Sequence, residues 1–127
     1  MGIRIASVIL SLAGLLALVL GLLFWTGIAL NLIQMHMLLG FLAVGALWVI
    51  AIGQAFSKAG SWTLGLAGLV VGALTVIFGM THATLMAGEF HWVIRLIHVA
   101  LGVLTIGLGH MAAARYRRIG DRINDRA

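Results

Sequence analysis

The sequence predicts an all-α integral membrane protein, folded as a four-helix bundle with up-down-up-down topology. Hydrophobic residues fill 63% of the 127 positions and charged residues only 9%, with a mean hydropathy of +1.19. A soluble globule of this length needs more polar surface than that. Between Arg4 and His36 there is no ionisable side chain, whereas about 20 apolar residues are enough to cross roughly 30 Å of hydrocarbon.

Four apolar segments follow in order within a single domain, residues 1–127. We expect α1 at about residues 5–30, α2 at 32–54, α3 at 62–87 and α4 at 91–114, with a basic tail over 115–127. The connections between them are short and rich in glycine, serine and asparagine. Consecutive helices joined by such short loops run antiparallel, which gives the bundle its alternating direction.

The basic residues predict the orientation. In a four-span topology nearly all of them fall on one side: Arg4, Lys58, Arg115, Arg117, Arg118, Arg122 and Arg126. Cytoplasmic loops carry the excess of lysine and arginine, so both termini are expected in the cytoplasm of a bacterial-type inner or plasma membrane. We then expect the basic side chains to interact with the lipid bilayer, and we expect no binding of nucleic acid.

An internal repeat relates the second and fourth helices. The pattern His-x-x-x-Gly-x-x-x-x-Gly begins at His36 and again at His98, an offset of 98 − 36 = 62 residues. Two copies of one helical hairpin would build the bundle. A parallel repeat of this kind has a pseudo-twofold axis along the membrane normal, so the two histidines are expected at equal depth on diagonal helices.

His36 and His98 are the candidate metal ligands. A polar imidazole at membrane depth is costly without a partner, so the pair predicts a metal or haem site, or else histidines satisfied by hydrogen bonds across the bundle. The absence of cysteine removes thiolate sites and covalent haem attachment. A ligating imidazole is expected to donate its other N–H to a helix carbonyl one turn back.

Every helix also has a seam of small residues. Such seams serve close helix packing, pairing of bundles into a homo-oligomer, or room for a flat macrocycle. Gly40 and Gly102, four residues after each histidine, favour the macrocycle.

Two further residues belong to the candidate site. His82, at the end of α3, could replace one of the pair as a ligand, hydrogen-bond the ligand or rest at the interface. Arg95 shares the His98 face of α4 and could neutralise an anionic ligand, extend to a headgroup phosphate or pair with Glu89. His91 is expected at the interface. His110 has Trp48 at its repeat-equivalent position, so a second histidine pair is not expected.

With its histidines on the second and fourth helices, the chain resembles one half-bundle of haem A synthase and, more loosely, the membrane cytochromes b of the b561 type. The resemblance implies one haem b held by His36 and His98 near the outer leaflet. A propionate of such a haem is one of the anionic groups that Arg95 or His82 could meet. The family has an acidic residue and an arginine where this chain has Ile33 and Met37. What the resemblance carries over is therefore electron transfer or haem handling. The electron donor stays open between a quinone of the membrane and a redox partner on the outer side.

Two other classes of function stay open. Copper favours methionine and histidine ligands. Several of these residues are expected near the outer surface, among them Met35, Met37, Met80, Met86 and His91. Met35 and Met37 cannot both join His36 at one ion, because adjacent helical residues point about 100° apart. The remaining class is a bundle without cofactor, acting as a small transporter or an assembly factor.

Overall fold

The computed structural model describes residues 2–57, 60–81, 84–86 and 88–124, which form an all-α four-helix bundle with neighbouring helices packed together. The fold class predicted from the sequence is therefore confirmed. The helices are α1 (Gly2–Trp25), α2 (Ile33–Phe56), α3 (Trp62–Thr81) and α4 (His91–Asn124), and a short 3-10 helix, Leu30–Leu32, leads into α2. Each of the four α-helices contains a segment long and apolar enough to cross a membrane.

Large apolar side chains cover the outside of the bundle. Phe56 is 82% exposed, Trp62 66% and Leu12 61%, and similar residues occur on the outer face of every helix. Water would penalise so much contiguous apolar surface, whereas lipid does not. The backbone polar groups are satisfied within the helices, as a hydrocarbon environment requires.

The second and fourth helices approach each other across the bundle. α2 packs against α1, α3 and α4, and α4 packs against α1, α2 and α3. The α2–α4 pair is thus the close diagonal of the bundle. A tightly packed core fills the half that contains the start of α1 and the end of α2, and it is formed by Ala6, Leu10, Ala13, Ala43, Ala46, Leu47, Ile50, Ala112 and Ala113.

The glycine seam of α3 is used for helix packing in this half of the bundle. A Cβ atom on Gly65 would lie 2.8 Å from the carbonyl oxygen of Ala51, and one on Gly68 would lie 3.0 Å from the Ala51 Cβ. A Cβ on Gly72 would collide with the indole of Trp48. These glycines let α2 and α3 come close. Their face is covered within the chain.

A buried glutamine ties the end of α2 to its neighbours. Gln54 is fully buried, and its Nε2 donates to the carbonyl oxygen of Ala112 in α4 at 2.5 Å. Its Oε1 accepts from the backbone N–H of Ser61, at 3.3 Å, just before α3 begins. One side chain therefore links three helices, and the sequence analysis did not single it out.

α1 ends earlier than its hydropathy suggests. Gly27 has a φ of 78°, and the N–H groups of Gly27 and Ile28 donate to the carbonyl oxygens of Phe24 and Leu23. This is the Schellman arrangement, in which a left-handed residue, usually glycine, closes the last helical turn. The segment after Trp25 is apolar but forms the connection to α2.

α4 is longer than its apolar segment, because it continues through the basic residues to Asn124. The residues expected as a tail are thus helical from 115 to 124. No proline interrupts them, and arginine and alanine are good helix formers. α3, by contrast, ends at Thr81, and the following turn includes Met86 with a φ of 48°.

Candidate functional site

The two repeat-related histidines meet on the close diagonal of the bundle. His36 on α2 and His98 on α4 are half-buried, their ring centroids are 6.2 Å apart, and the ring planes are inclined by 69°. Phe24, in the last turn of α1, packs edge-on against His36 with a centroid distance of 5.3 Å. The two imidazoles therefore face a common space between the helices.

The hydrogen bond of His36 determines which ring nitrogen carries a proton. Its Nδ1 lies 2.9 Å from the carbonyl oxygen of Ala17 in α1. A carbonyl oxygen can only accept, so Nδ1 must be the donor and the neutral ring has its lone pair at Nε2. The acceptor is a helix carbonyl, as expected, but it belongs to α1 and not to the preceding turn of α2.

A glycine on the preceding helix makes room for each imidazole. A Cβ on Gly21 of α1 would lie 3.3 Å from Cε1 of His36, and a Cβ on Gly79 of α3 would lie 3.1 Å from Cε1 of His98. Both distances are tighter than ordinary van der Waals contact. The contact of each imidazole with a glycine of the preceding helix was not predicted from the sequence.

A sequence signal for this arrangement exists. Gly14 and Gly21 recur as Gly72 and Gly79 at an offset of 58 residues (72 − 14 and 79 − 21), whereas the histidines recur at 62. The second hairpin is thus four residues longer between its helices (62 − 58). Allowing for that insertion would have paired each glycine with its histidine.

A cavity adjoins the two rings. Its volume is about 110 Å³, and it opens between the helices to the surroundings of the bundle. A Cβ on either Gly40 or Gly102 would have no neighbour within 4 Å. The lining comes from all four helices and includes Ala17, Gly21, His36, Met37, Gly40, Val44, Thr75, Gly79, Met80, His98, Gly102 and Thr105, with no charged side chain among the described lining residues.

Two threonines join α3 and α4 beside this cavity. The Thr75 hydroxyl lies 2.8 Å from the Val71 carbonyl oxygen, to which it donates, and 2.9 Å from the hydroxyl of Thr105. Thr105 is only 2% exposed. Hydroxyl groups satisfied in this way fix the spacing of the two helices seven residues from His98.

Two of the other candidate residues, Arg95 and His91, do not line the cavity. Arg95 is exposed on α4 and is not among the residues that line the space. His91, at the start of α4, has its Nδ1 3.3 Å from the carbonyl oxygen of Leu85. His82 lies outside the described residues.

His110 has a partner on α1. Its Nε2 lies 3.2 Å from the Ser11 hydroxyl, while its repeat equivalent Trp48 donates from Nε1 to the carbonyl oxygen of Leu69 at 3.3 Å. The two contacts are related by the internal repeat. His110 and Trp48 differ by the offset of the second and fourth helices (110 − 48 = 62), and Leu69 and Ser11 differ by the offset of the first and third helices (69 − 11 = 58). No group of three or more histidine, aspartate or glutamate side chains close enough to hold a metal ion occurs in the described ranges.

The fold and the site together define a four-helix bundle with four candidate membrane spans and a pair of facing histidines. Comparisons with protein-family models, with curated proteins and with solved structures found no match to this chain.

Proposed function

We propose that this chain is a membrane haem b-binding protein in which His36 and His98 would hold one haem. The observation that carries the proposal is the centroid separation of 6.2 Å between the two imidazoles. With metal–nitrogen distances of about 2.0–2.1 Å and a ring radius of about 1.1 Å, two imidazoles on opposite sides of one ion have centroids about 6.3 Å apart. The two rings have this spacing.

The hydrogen bond of His36 also fits ligation. Histidines that bind metals almost always donate their other N–H to a carboxylate, a carbonyl oxygen or water, which fixes the tautomer and the ring orientation. The bond from Nδ1 to the Ala17 carbonyl oxygen has this form and makes Nε2 the ligating nitrogen. Gly21 lets the ring reach that carbonyl group.

The space beside the rings suits a flat group. Gly40 and Gly102 leave it open on the two histidine-bearing helices, whereas cofactor pockets usually measure about 300–1,000 Å³. Because the cavity proper is about 110 Å³, binding a macrocycle requires the lining side chains to move outward.

The bound haem would supply one-electron redox chemistry at its iron. His36 and His98 would hold the haem through their imidazoles, and the apolar lining of the cavity would keep water away from it. We include Arg95 as the cation for a propionate at the cofactor edge and His82 as the alternative ligand. Electron transfer or haem handling follows, with a membrane quinol or a redox protein as the electron donor.

The test is the absorption spectrum of the purified protein after addition of haem b. We expect a sharp Soret band and split visible bands on reduction. His36→Ala and His98→Ala should each abolish this low-spin spectrum, and His110→Ala should leave it intact. A colourless protein would refute the proposal. Loss of the spectrum with His82→Ala and His98→Ala, but not with His36→Ala, would show that the wrong partner is named for His98.

Copper handling is the second candidate, and one observation favours it. Met37 and Met80 line the same cavity as His36 and His98, and thioether and imidazole ligands together suit copper in its reduced form. Replacing both methionines by leucine keeps their volume, so it should leave the haem spectrum unchanged but abolish copper retention. Gly102→Leu should do the opposite, because it blocks a macrocycle and not an ion. A protein that binds neither would be the cofactor-free transporter or assembly factor.

A further inference from the structure

A second groove lies at the end of the bundle that contains the start of α3 and the basic part of α4. Its volume is about 740 Å³, and it is lined by the first turns of α3 and by α4 from Met111 to Arg122. It shares no lining residue with the cavity beside the histidines.

Three arginines of α4 form one wall of this groove: Arg115, Arg118 and Arg122. They are spaced three and four residues apart and therefore form a row along one face of the helix, about 10 Å long. All three are exposed, and no acidic side chain occurs among the lining residues whose side chains the structure describes, which do not include Asp121 and Asp125. Like charges at this spacing destabilise a helix unless an anion compensates them.

The rest of the groove is apolar on the side toward the membrane-spanning segments. Leu64 and Ala67 of α3 face Met111 and Ala114 of α4. The neighbouring Trp62 is exposed, as expected of tryptophan at headgroup depth. A positive wall that continues into an apolar crevice has the polarity of a phospholipid, with its headgroup outside and its acyl chains inside the hydrocarbon.

We propose that this groove binds an anionic phospholipid of the leaflet at the arginine-bearing end of the bundle. The guanidinium groups of the arginine row bind the headgroup phosphate through paired N–H donors, the geometry that arginine offers to phosphate. An acyl chain lies between α3 and α4. Basic pockets between membrane helices are suited to such headgroups. A soluble anion would leave the apolar part of the groove without a ligand.

The experiment measures lipid retention by the full-length chain in nanodiscs containing phosphatidylglycerol and phosphatidylcholine, followed by native mass spectrometry. We expect retained phosphatidylglycerol. The triple variant should lower its retention by at least about 10-fold, because each basic residue near an anionic surface adds to the attraction for the lipid. This variant combines Arg115→Gln, Arg118→Gln and Arg122→Gln.

Arg117→Gln is the matched control, because Arg117 is exposed on the same helix but does not line the groove. It should keep retention within about twofold of the unchanged chain. Circular dichroism reports whether each variant keeps its helices. Equal loss with Arg117→Gln, equal retention of phosphatidylcholine, or displacement of the lipid by millimolar inorganic phosphate would each overturn the proposal. None of these outcomes depends on what binds beside the histidines.

Discussion

At the scale of residues, the candidate site depends on a glycine, which has no side chain, beside each imidazole. His36 and His98 each pack against a glycine of the preceding helix, Gly21 or Gly79. Any larger side chain at these glycines would occupy the position of the ring. The histidine and its glycine therefore act as a unit, and the glycine sets how far the ring can turn toward the preceding helix.

A single methyl group at these glycines should disturb the site. In Gly79→Ala the new Cβ would lie 3.1 Å from Cε1 of His98, and forcing a ring to move in a packed interior typically costs about 1–3 kcal/mol. We expect haem affinity to fall by roughly 10-fold or more in Gly79→Ala and, less steeply, in Gly21→Ala. A haem titration followed at the Soret band measures this.

The control substitution is Gly107→Ala, which sits on the exposed side of α4 with no neighbour within 4 Å of its Cβ. It should bind haem like the unchanged chain. Equal affinities in Gly79→Ala and Gly107→Ala would mean that the glycine contact does not position the ring.

At the scale of elements, polar side chains fix the helices relative to each other at only a few points. Gln54 joins α2, α4 and the start of α3 at one end of the bundle. Thr75 and Thr105 join α3 to α4 beside the cavity. In a bilayer the hydrophobic effect does not drive helices together, so these hydrogen bonds and close glycine contacts must hold the bundle.

Replacing the buried glutamine, Gln54, should destabilise the bundle. Gln54→Leu removes the hydrogen bonds to the Ala112 carbonyl oxygen and from the Ser61 N–H. Interhelical hydrogen bonds in membranes contribute about 0.6 kcal/mol on average and up to about 1.7 kcal/mol. We expect the free energy of unfolding to fall by that range, measured by titration of the detergent-solubilised protein with sodium dodecyl sulfate.

Gln34→Leu serves as the comparison, because Gln34 is exposed near the opposite end of α2. It should change the free energy of unfolding by less than about 0.5 kcal/mol, as surface substitutions usually do. If Gln54→Leu unfolded no more easily than Gln34→Leu, the buried hydrogen bonds would not stabilise the bundle.

At the scale of the whole molecule, the internal repeat is visible in contacts as well as in sequence. The His36–Gly21 contact corresponds to His98–Gly79, and the bond between Trp48 and Leu69 corresponds to the one between His110 and Ser11. The two equivalent hairpins bring the two histidines together on the α2–α4 diagonal. The bundle is nevertheless divided along its length, with a dense core near the chain ends and an open cavity toward the connection of α1 to α2.

The orientation of the bundle can be tested directly, because the chain contains no cysteine. By the positive-inside rule, Thr26→Cys should react with a membrane-impermeant thiol reagent from the periplasmic or outer side of intact cells, and Ser57→Cys only after permeabilisation. Leu12→Cys, 61% exposed on the outer face of α1, should stay unlabelled in both cases, since a thiol in hydrocarbon remains protonated. The reverse labelling pattern would invert the proposed topology.

The sequence by itself determined the class of fold, the number of helices and the candidate histidine pair. Hydropathy and the recurrence of His-x-x-x-Gly can be seen in the linear sequence. Because the rise per residue of an α-helix is known, the number of residues gives the length of each helix and the position of each histidine along it. The helix ends were less well predicted, because the left-handed turn at Gly27 and the extension of α4 through its arginines depend on local backbone geometry and not on hydropathy.

Only the tertiary structure decided which faces meet. It brings the two imidazoles to 6.2 Å, gives His36 an acceptor on α1, and divides the glycines between helix packing and the histidine site. It also arranges three of the arginines around a groove with α3. A helical wheel gives the angles between residues on one helix, but the rotation and height of each helix against its neighbours are set by packing among all four.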